Sequence, residues 1–338
     1  MKQGWDTGFR YIFSGSLTYK MHDMLLDLVD FEPLDILVAQ EDRNGIRNAV
    51  KWKHEGFCRF LFMDSGAFSV HTGKLEVTQD EYLEFANSMA DEIDVFAQLD
   101  TIPGKFGEPK TPEDYIESAE SSWENFLYMR ARIKNKNHVM PVYHFGEDIK
   151  YLKRMLEYVD DEGDKLEYIG LSPANDASVQ DRMLYLQNMY DIIHASSNPD
   201  VKTHVYGFTS LNAMSKFPCY SADSISHRLI SGYNKVLSRN FGIISITKRS
   251  RSVKSKSNMS FLDSADEYNI ELLRSEFESM GVTTELAKKY GYDVDDIFDW
   301  LPEDNNARVA ITVKNIQYLI KTKYKYQPDN LKRSIKLF

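Results

Sequence analysis

Four places in this sequence set an acid or a histidine directly after a short apolar run. They are Asp64 after 60–63, Asp100 after 93–99, His144 after 138–143 and Asp223 after 219–222. Glycines stand at two more such ends, Gly170 after 166–169 and Gly207 after 204–206. A lone acid there is usually the cap of the next helix, and a lone glycine usually serves a tight turn. Three acids and a histidine brought to one face would do more. Two carboxylates flanking a substrate suit a nucleophile and a general acid/base acting at a sugar C1′, through a covalent sugar–enzyme ester. A third carboxylate can accept hydrogen bonds from the N–H edge of a flat base. Phe68 and Tyr143, near two of the turns, offer rings that could stack on such a base. A second chemistry draws on an overlapping set: His144, His204, Asp100 and Asp223 as ligands of a divalent ion in a metal-dependent barrel hydrolase.

The elements that must position these groups read as strand, turn, helix. Eight apolar runs qualify as strands, at 35–39, 60–63, 93–99, 138–143, 166–169, 204–206, 219–222 and 241–246. Amphipathic segments separate most of them. The segment 79–91 opens on a capping box, Thr78-Gln-Asp-Glu81, and places Tyr82, Phe85, Ala86 and Met89 on one face. The helix after Asp100 is capped by Thr111, with Pro112 at its first position and Glu113 and Asp114 at the positive end of its dipole. Alternation of this kind builds a parallel sheet, and eight units predict a closed (β/α)₈ TIM barrel. A doubly wound open sheet is the alternative, weakened by the lack of a Gly-rich phosphate turn after the first strand. In a barrel all strand C-termini open on one mouth, so Asp64, Asp100, His144, Gly170, Gly207 and Asp223 would meet there. The expected division is a barrel over 1–256, an acidic and mostly helical insertion over 257–307, and a final helix over 308–338 that packs on the barrel and ends in a basic tail.

With 338 residues, 42% of them hydrophobic and 27% charged, the chain has the composition of a folded globular protein. No run of about 18 apolar residues occurs, so no membrane-spanning helix is expected. The start, Met1-Lys-Gln-Gly-Trp-Asp, has no apolar signal core, which points to a cytoplasmic location. The net charge of -10 argues against indiscriminate coating of nucleic acid. One stretch runs the other way: Lys248, Arg249, Arg251, Lys254 and Lys256 fall within nine residues that contain no acid. If 241–246 is the last barrel strand, this basic run leaves it on the mouth side, where it would grip phosphates.

The turns resemble those of the tRNA-guanine transglycosylases. Asp64-Ser-Gly-Ala-Phe-Ser69 is similar to the family's Asp-Ser-Gly-Gly-Phe/Tyr-Gln turn, and Leu99-Asp-Thr-Ile-Pro103 to the turn that holds the guanine edge. Val142-Tyr-His-Phe-Gly-Glu-Asp148 stands where the family has Val-Gln-Gly. Ile169-Gly-Leu-Ser172 resembles Gly-Gly-Leu-Ala, and Val205-Tyr-Gly-Phe-Thr209 resembles Met-Gly-Val-Gly-Thr. Tyr220-Ser-Ala-Asp-Ser-Ile-Ser-His-Arg228 matches the nucleophile strand. The order is kept over about 165 residues, and the variant looks closest to the phage and genomic-island branch that inserts 7-deazaguanines into DNA. The resemblance implies that Asp223 attacks C1′ and that Asp64 is the general base. It implies that Asp100 reads the N1 and 2-amino edge, and that Phe68 stacks on the ring. His144, Gly146, the Gly170 and Leu171 backbone and Gly207 would complete the base pocket, and Arg228 would hold a phosphate or orient Asp223. It further implies DNA as partner, with tRNA as the alternative, a free 7-deazaguanine base as co-substrate and no cofactor. Host cytoplasm would be the location if the protein is phage-encoded, and a helper protein or homodimer would offset the acidic surface. The family's Cys₃His zinc site is missing, because the chain has only two cysteines, Cys58 and Cys219.

Overall fold

A computed structural model describes residues 8–74, 76–174, 177–247 and 260–323. The chain divides into two compact units. The first takes in Pro33–Ser224 and the segment before Leu17; the second takes in Leu17–Glu32 and Ile225–Tyr324. The boundaries expected from the sequence are at 256 and 307.

The first unit is a nine-stranded, all-parallel sheet that curls into a nearly closed barrel. Its strands are β1 (Arg10–Ser14), β2 (Leu34–Ala39), β3 (Cys58–Asp64), β4 (Val95–Ala97), β5 (Val139–Met140), β6 (Val142–His144), β7 (Tyr168–Ser172), β8 (Lys202–Val205) and β9 (Ser221–Ser224). The order is β5-β4-β3-β2-β1-β9-β8-β7-β6. The two edge strands, β5 and β6, are separated in the chain by Pro141 alone. Pro141 has no N–H to give a ladder, but its carbonyl accepts the Gly170 amide at 2.8 Å. The outer helices begin as the sequence predicts. Thr78 and Glu81 form a capping box at Gln79–Ser88, and Thr111 and Asp114 form another at Pro112–Arg130, with Pro112 in the first turn.

Ile12, Leu37, Phe60, Phe62, Val95, Ala97, Met140, Val142 and Tyr168 form one buried cluster. Their neighbours in the chain, such as Leu61, Met63 and Ile169, are equally buried on the opposite face, as parallel strands covered on both sides require. The period of two then fixes what reaches the strand ends. Phe60 and Phe62 lead to Asp64, Ile12 to Ser14, Val142 to His144, and Ser221 to Asp223.

Two expectations need correction. The segment 241–246 is not a barrel strand: β11 (Gly242–Ser245) pairs antiparallel with β10 (Lys235–Ser238) in a separate hairpin of the second unit. The glutamate that organises this hairpin's turn is Glu276, which accepts from the Ser238 hydroxyl, the Arg239 amide and the Asn240 side chain at 2.7, 2.8 and 3.0 Å. The missing barrel strand is β1, which sits between β2 and β9. The placement of the basic run on the mouth therefore loses its premise, and Lys248, Arg249, Arg251, Lys254 and Lys256 lie outside the described residues.

In the second unit the helix Asn305–Lys323 is buried on nearly all sides from Ala307 to Gln317. Its polar groups are tied to neighbours: Arg308 donates to the carbonyls of Ser231 and Leu301, both at 3.0 Å, and Asn315 to Glu276 at 3.0 Å. No helix among the described residues is long and apolar enough to cross a membrane.

Candidate active site

The C-terminal ends of β1, β3, β4, β6, β8 and β9 bring together Ser14, Asp64, Asp100, His144, His204 and Asp223. Asp223 is 8% exposed and held at three points. Its Oδ1 accepts the Gly207 amide at 2.8 Å, and its Oδ2 accepts the Ser14 hydroxyl. His204 Nε2 lies 3.3 Å from Oδ1, a close contact without the alignment of a good hydrogen bond. Gly207 has φ 61°, the left-handed conformation that turns its N–H toward the carboxylate. Burial pushes the Asp223 carboxyl up. His204, the Ser14 hydroxyl and the Gly207 amide more than offset it, and the group ends below the usual carboxylate range. Asp223 is not a helix cap, because the helix Ser226–Gly232 has no side-chain cap bond.

Asp64, the last residue of β3, is tuned the opposite way. Burial pushes its carboxyl up to about 7, reinforced by the charges of Asp223, Asp100 and Glu41, while the Gly66 amide at 3.3 Å pulls it down. Glu41 stands in the turn after β2 and accepts the Ser69 hydroxyl at 2.7 Å. Gly66 has φ 74°, the left-handed conformation that favours glycine, and a Cβ there would press on the end of the Glu41 side chain, 2.2 Å from Oε2.

Asp100 and His144 form a third group with Glu147. His144 Nε2 lies 2.8 Å from Asp100 and Nδ1 3.0 Å from Glu147, whose other oxygen accepts the His144 amide at 3.1 Å. Burial pulls the imidazole down, but the two carboxylates raise it to about 10, so His144 is an imidazolium at neutral pH. Asp100 also accepts from Gln98 at 3.1 Å and Ser122 at 3.0 Å. Among these acids lies the Tyr206 ring, edge-on to His204 at 4.5 Å between ring centres. Its hydroxyl is buried without a hydrogen-bond partner among the described residues.

A search against protein-family models and curated proteins finds no match to this chain. The site therefore stands on its geometry.

The other expected residues divide. Phe68 is 58% exposed on the short helix Ala67–His71, edge-on to the equally open Phe106 at 6.2 Å, with His71 edge-on to Phe106 at 5.9 Å. Tyr143 is core rather than a stacking surface: it is 2% exposed, lies parallel to Tyr185 and donates to the Glu147 carbonyl at 2.8 Å. Gly170 and Leu171 lie inside β7, and the Gly170 amide and Leu171 carbonyl are spent on neighbouring strands, so these groups are not open to a base. Gly146 has φ 94° and packs where a Cβ would lie 2.6 Å from the Tyr115 ring. Arg228 belongs to the second unit, on Ser226–Gly232.

Sequence reasoning missed Ser14, Glu147 and Tyr206, and read His204 only as a metal ligand. The run Tyr11-Ile-Phe-Ser14 followed by Gly15 was the available signal for Ser14: apolar residues ending in a hydroxyl and a turn glycine.

Proposed function

We propose that this mouth is the active site of a guanine-exchanging transglycosylase that inserts a 7-deazaguanine into DNA. The scaffold would be a (β/α)₈ barrel closed through residues 139–144. The observation that carries the reading is the divergence of two neighbouring acids, Asp223 held ionised and Asp64 raised to about 7. Such a split is what a nucleophile and a proton carrier require. Asp223 attacks C1′, the C1′–N9 bond breaks with its electron pair on N9, and the departing guanine takes the Asp64 proton. Ester formation removes the charge on Asp223 and with it one of the repulsions that hold Asp64 protonated. The ionised Asp64 then takes the N9 proton of the incoming 7-deazaguanine. That N9 displaces Asp223 from C1′, and both acids return to their starting states.

Asp100 Oδ1 is taken by Gln98 and Ser122, but Oδ2, beside His144, keeps a lone pair to accept one donor from the N1–H and 2-amino edge of a guanine. Phe68 and Phe106 give exposed rings on which bases can stack. DNA is favoured over tRNA because the polynucleotide-docking zinc site of the tRNA enzymes needs three cysteines and this chain has two, both buried. The metal-hydrolase reading is weakened by His144, whose two ring nitrogens are both already engaged by carboxylates, Asp100 and Glu147.

The test is nucleoside mass spectrometry of DNA and tRNA from cells that express the protein with a supply of 7-cyano-7-deazaguanine. The expected result is the 7-deazaguanine nucleoside in DNA, lost with Asp223→Ala. Modified tRNA beside unmodified DNA would overturn the choice of polynucleotide. Modification of neither would overturn base exchange.

A further inference from the structure

The groups behind Asp223 form a line that the base-exchange reading does not use. His204 is fully buried on β8. Its Nδ1 lies 2.6 Å from the Ser221 hydroxyl, which in turn meets the Tyr168 hydroxyl. Tyr168 and Ser221 are themselves buried, on β7 and β9. The His204 ring is wedged edge-on by Phe62 at 4.9 Å, Tyr206 at 4.5 Å and Tyr168 at 6.5 Å, so it cannot swing away from the carboxylate. Burial pushes the Tyr168 phenol far above its usual range, which keeps it a proton donor at working pH.

We propose that His204 is the positioning residue of Asp223, with Tyr168 and Ser221 fixing its tautomer so that an Nε2–H faces the carboxylate. Tyr168 donates to Ser221, Ser221 donates to Nδ1, and the ring proton is left on Nε2 toward Oδ1. The same role, a buried partner choosing the tautomer of an imidazole, orders catalytic triads; here the carboxylate is the reacting end. The consequence is an Asp223 that stays ionised and aimed although other titratable groups press on it. Those groups are Asp64 on β3, Tyr11 on β1 and Tyr206 after β8, with Ser14 and the Gly207 amide as neutral donors. The effect on rate rests on the base-exchange reading; the effect on ionisation does not.

Two measurements on the full chain keep these apart. First, the Asp223 carboxyl is followed without substrate by ¹³C NMR of aspartate-labelled protein, assigned with Asp223→Asn. His204→Phe, which keeps a ring in the slot, is expected to raise the Asp223 titration by at least about one pH unit. His204→Gln, which can place an amide N–H near Nε2, is expected to recover about half of that shift. Second, base exchange is expected to fall about 100-fold in kcat with His204→Phe at nearly constant KM for the free base. His204→Gln should recover part of the loss, and Ser221→Ala should lose about ten-fold. An unchanged Asp223 titration in a folded His204→Phe protein overturns the proposal, whatever the rate. A raised titration in a protein that exchanges no base sustains His204 and overturns the base-exchange reading instead. Equal rate losses with His204→Phe and His204→Gln, tracking lost melting temperature, would also overturn it, since they would show only a packing role.

Discussion

The two ends of the parallel sheet treat buried carboxylates in opposite ways. At the N-terminal end Asp35, 1% exposed, is gripped by two arginines. Arg59 reaches it through Nε at 2.8 Å and Nη2 at 2.7 Å, and Arg10 Nη1 lies 3.2 Å from Oδ1 and 3.3 Å from Oδ2. Arg10 is in turn fixed by the Tyr220 hydroxyl at 3.0 Å and lies over the Phe60 ring at 4.8 Å. Two cations there serve one acid, so the carboxylate is fully paired. At the C-terminal end Asp64, Asp100 and Asp223 outnumber the cationic partners, and hydroxyl and amide groups do part of the work. A saturated cluster can only hold the fold. An unsaturated one has carboxylates whose proton affinities differ and whose lone pairs remain open, which is what chemistry needs.

Exchanging one acid at each end gives the largest test of that contrast. Asp223→Ala is expected to cut base exchange by on the order of 10⁴-fold or more, as loss of a covalent nucleophile does. Its melting temperature should fall only slightly, because losing the Ser14 and Gly207 contacts to the ionised carboxyl is partly offset by removing a buried charge. Asp35→Ala should do the reverse: a loss of about 3 kcal/mol in unfolding free energy, at the low end for a broken buried pair because both arginines keep some contact with water. Its exchange rate at a temperature where it is folded should stay near wild type. Denaturant melts and exchange assays on both variants would break the comparison if Asp35→Ala lost activity while folded.

A smaller effect separates the ends by pH. His144 is raised from 6.5 in the unfolded chain to about 10 in the fold. A histidine raised in this way gives stability that is complete below pH 6.5 and is lost as pH climbs through about 10. The melting-temperature gap between wild type and His144→Gln should therefore be widest near pH 6 and close by about pH 10.5. A gap constant over that range would mean that the Asp100–His144–Glu147 group is held by packing, and the mouth would look more like the other end.

What the sequence revealed follows the same division. Asp64, Asp100, His144 and Asp223 were legible because an apolar run that stops at a polar residue is a local signal. The caps at Thr78 and Thr111 were legible for the same reason. Ser14 was not, because β1 is five residues long and gains its meaning only by pairing with β9, some 210 positions away. His204 looked like a ligand because Ser221 and Tyr168, which occupy its Nδ1 side, come from other strands. The run 241–246 misled because a half-buried hairpin strand and a barrel strand have the same short apolar pattern; what separates them is the partner, β10, which follows a seven-residue helix rather than a long crossover.

The smallest expected effect tests how tightly the interior layers support the mouth. Gly170 faces the barrel interior, where a Cβ would lie 2.9 Å from Tyr206 Cε2 and 3.1 Å from both Met140 Cε and Val142 Cγ2. The glycine is there for room, since its φ is not in the left-handed range. Gly170→Ala must push the Tyr206 ring, which sits among Asp64, Asp100 and Asp223, at a cost of about 1–2 kcal/mol in stability. On the proposed reading, exchange should fall a few-fold as the ring crowds the space between the acids. Tyr206→Leu removes the ring edge that clashes, so the double variant should be more stable than the sum of the two single losses, by about 1 kcal/mol of coupling. Strict additivity in chemical denaturation would show that Gly170 and Tyr206 do not share the space, and that the interior below the acids yields more freely than its packing implies.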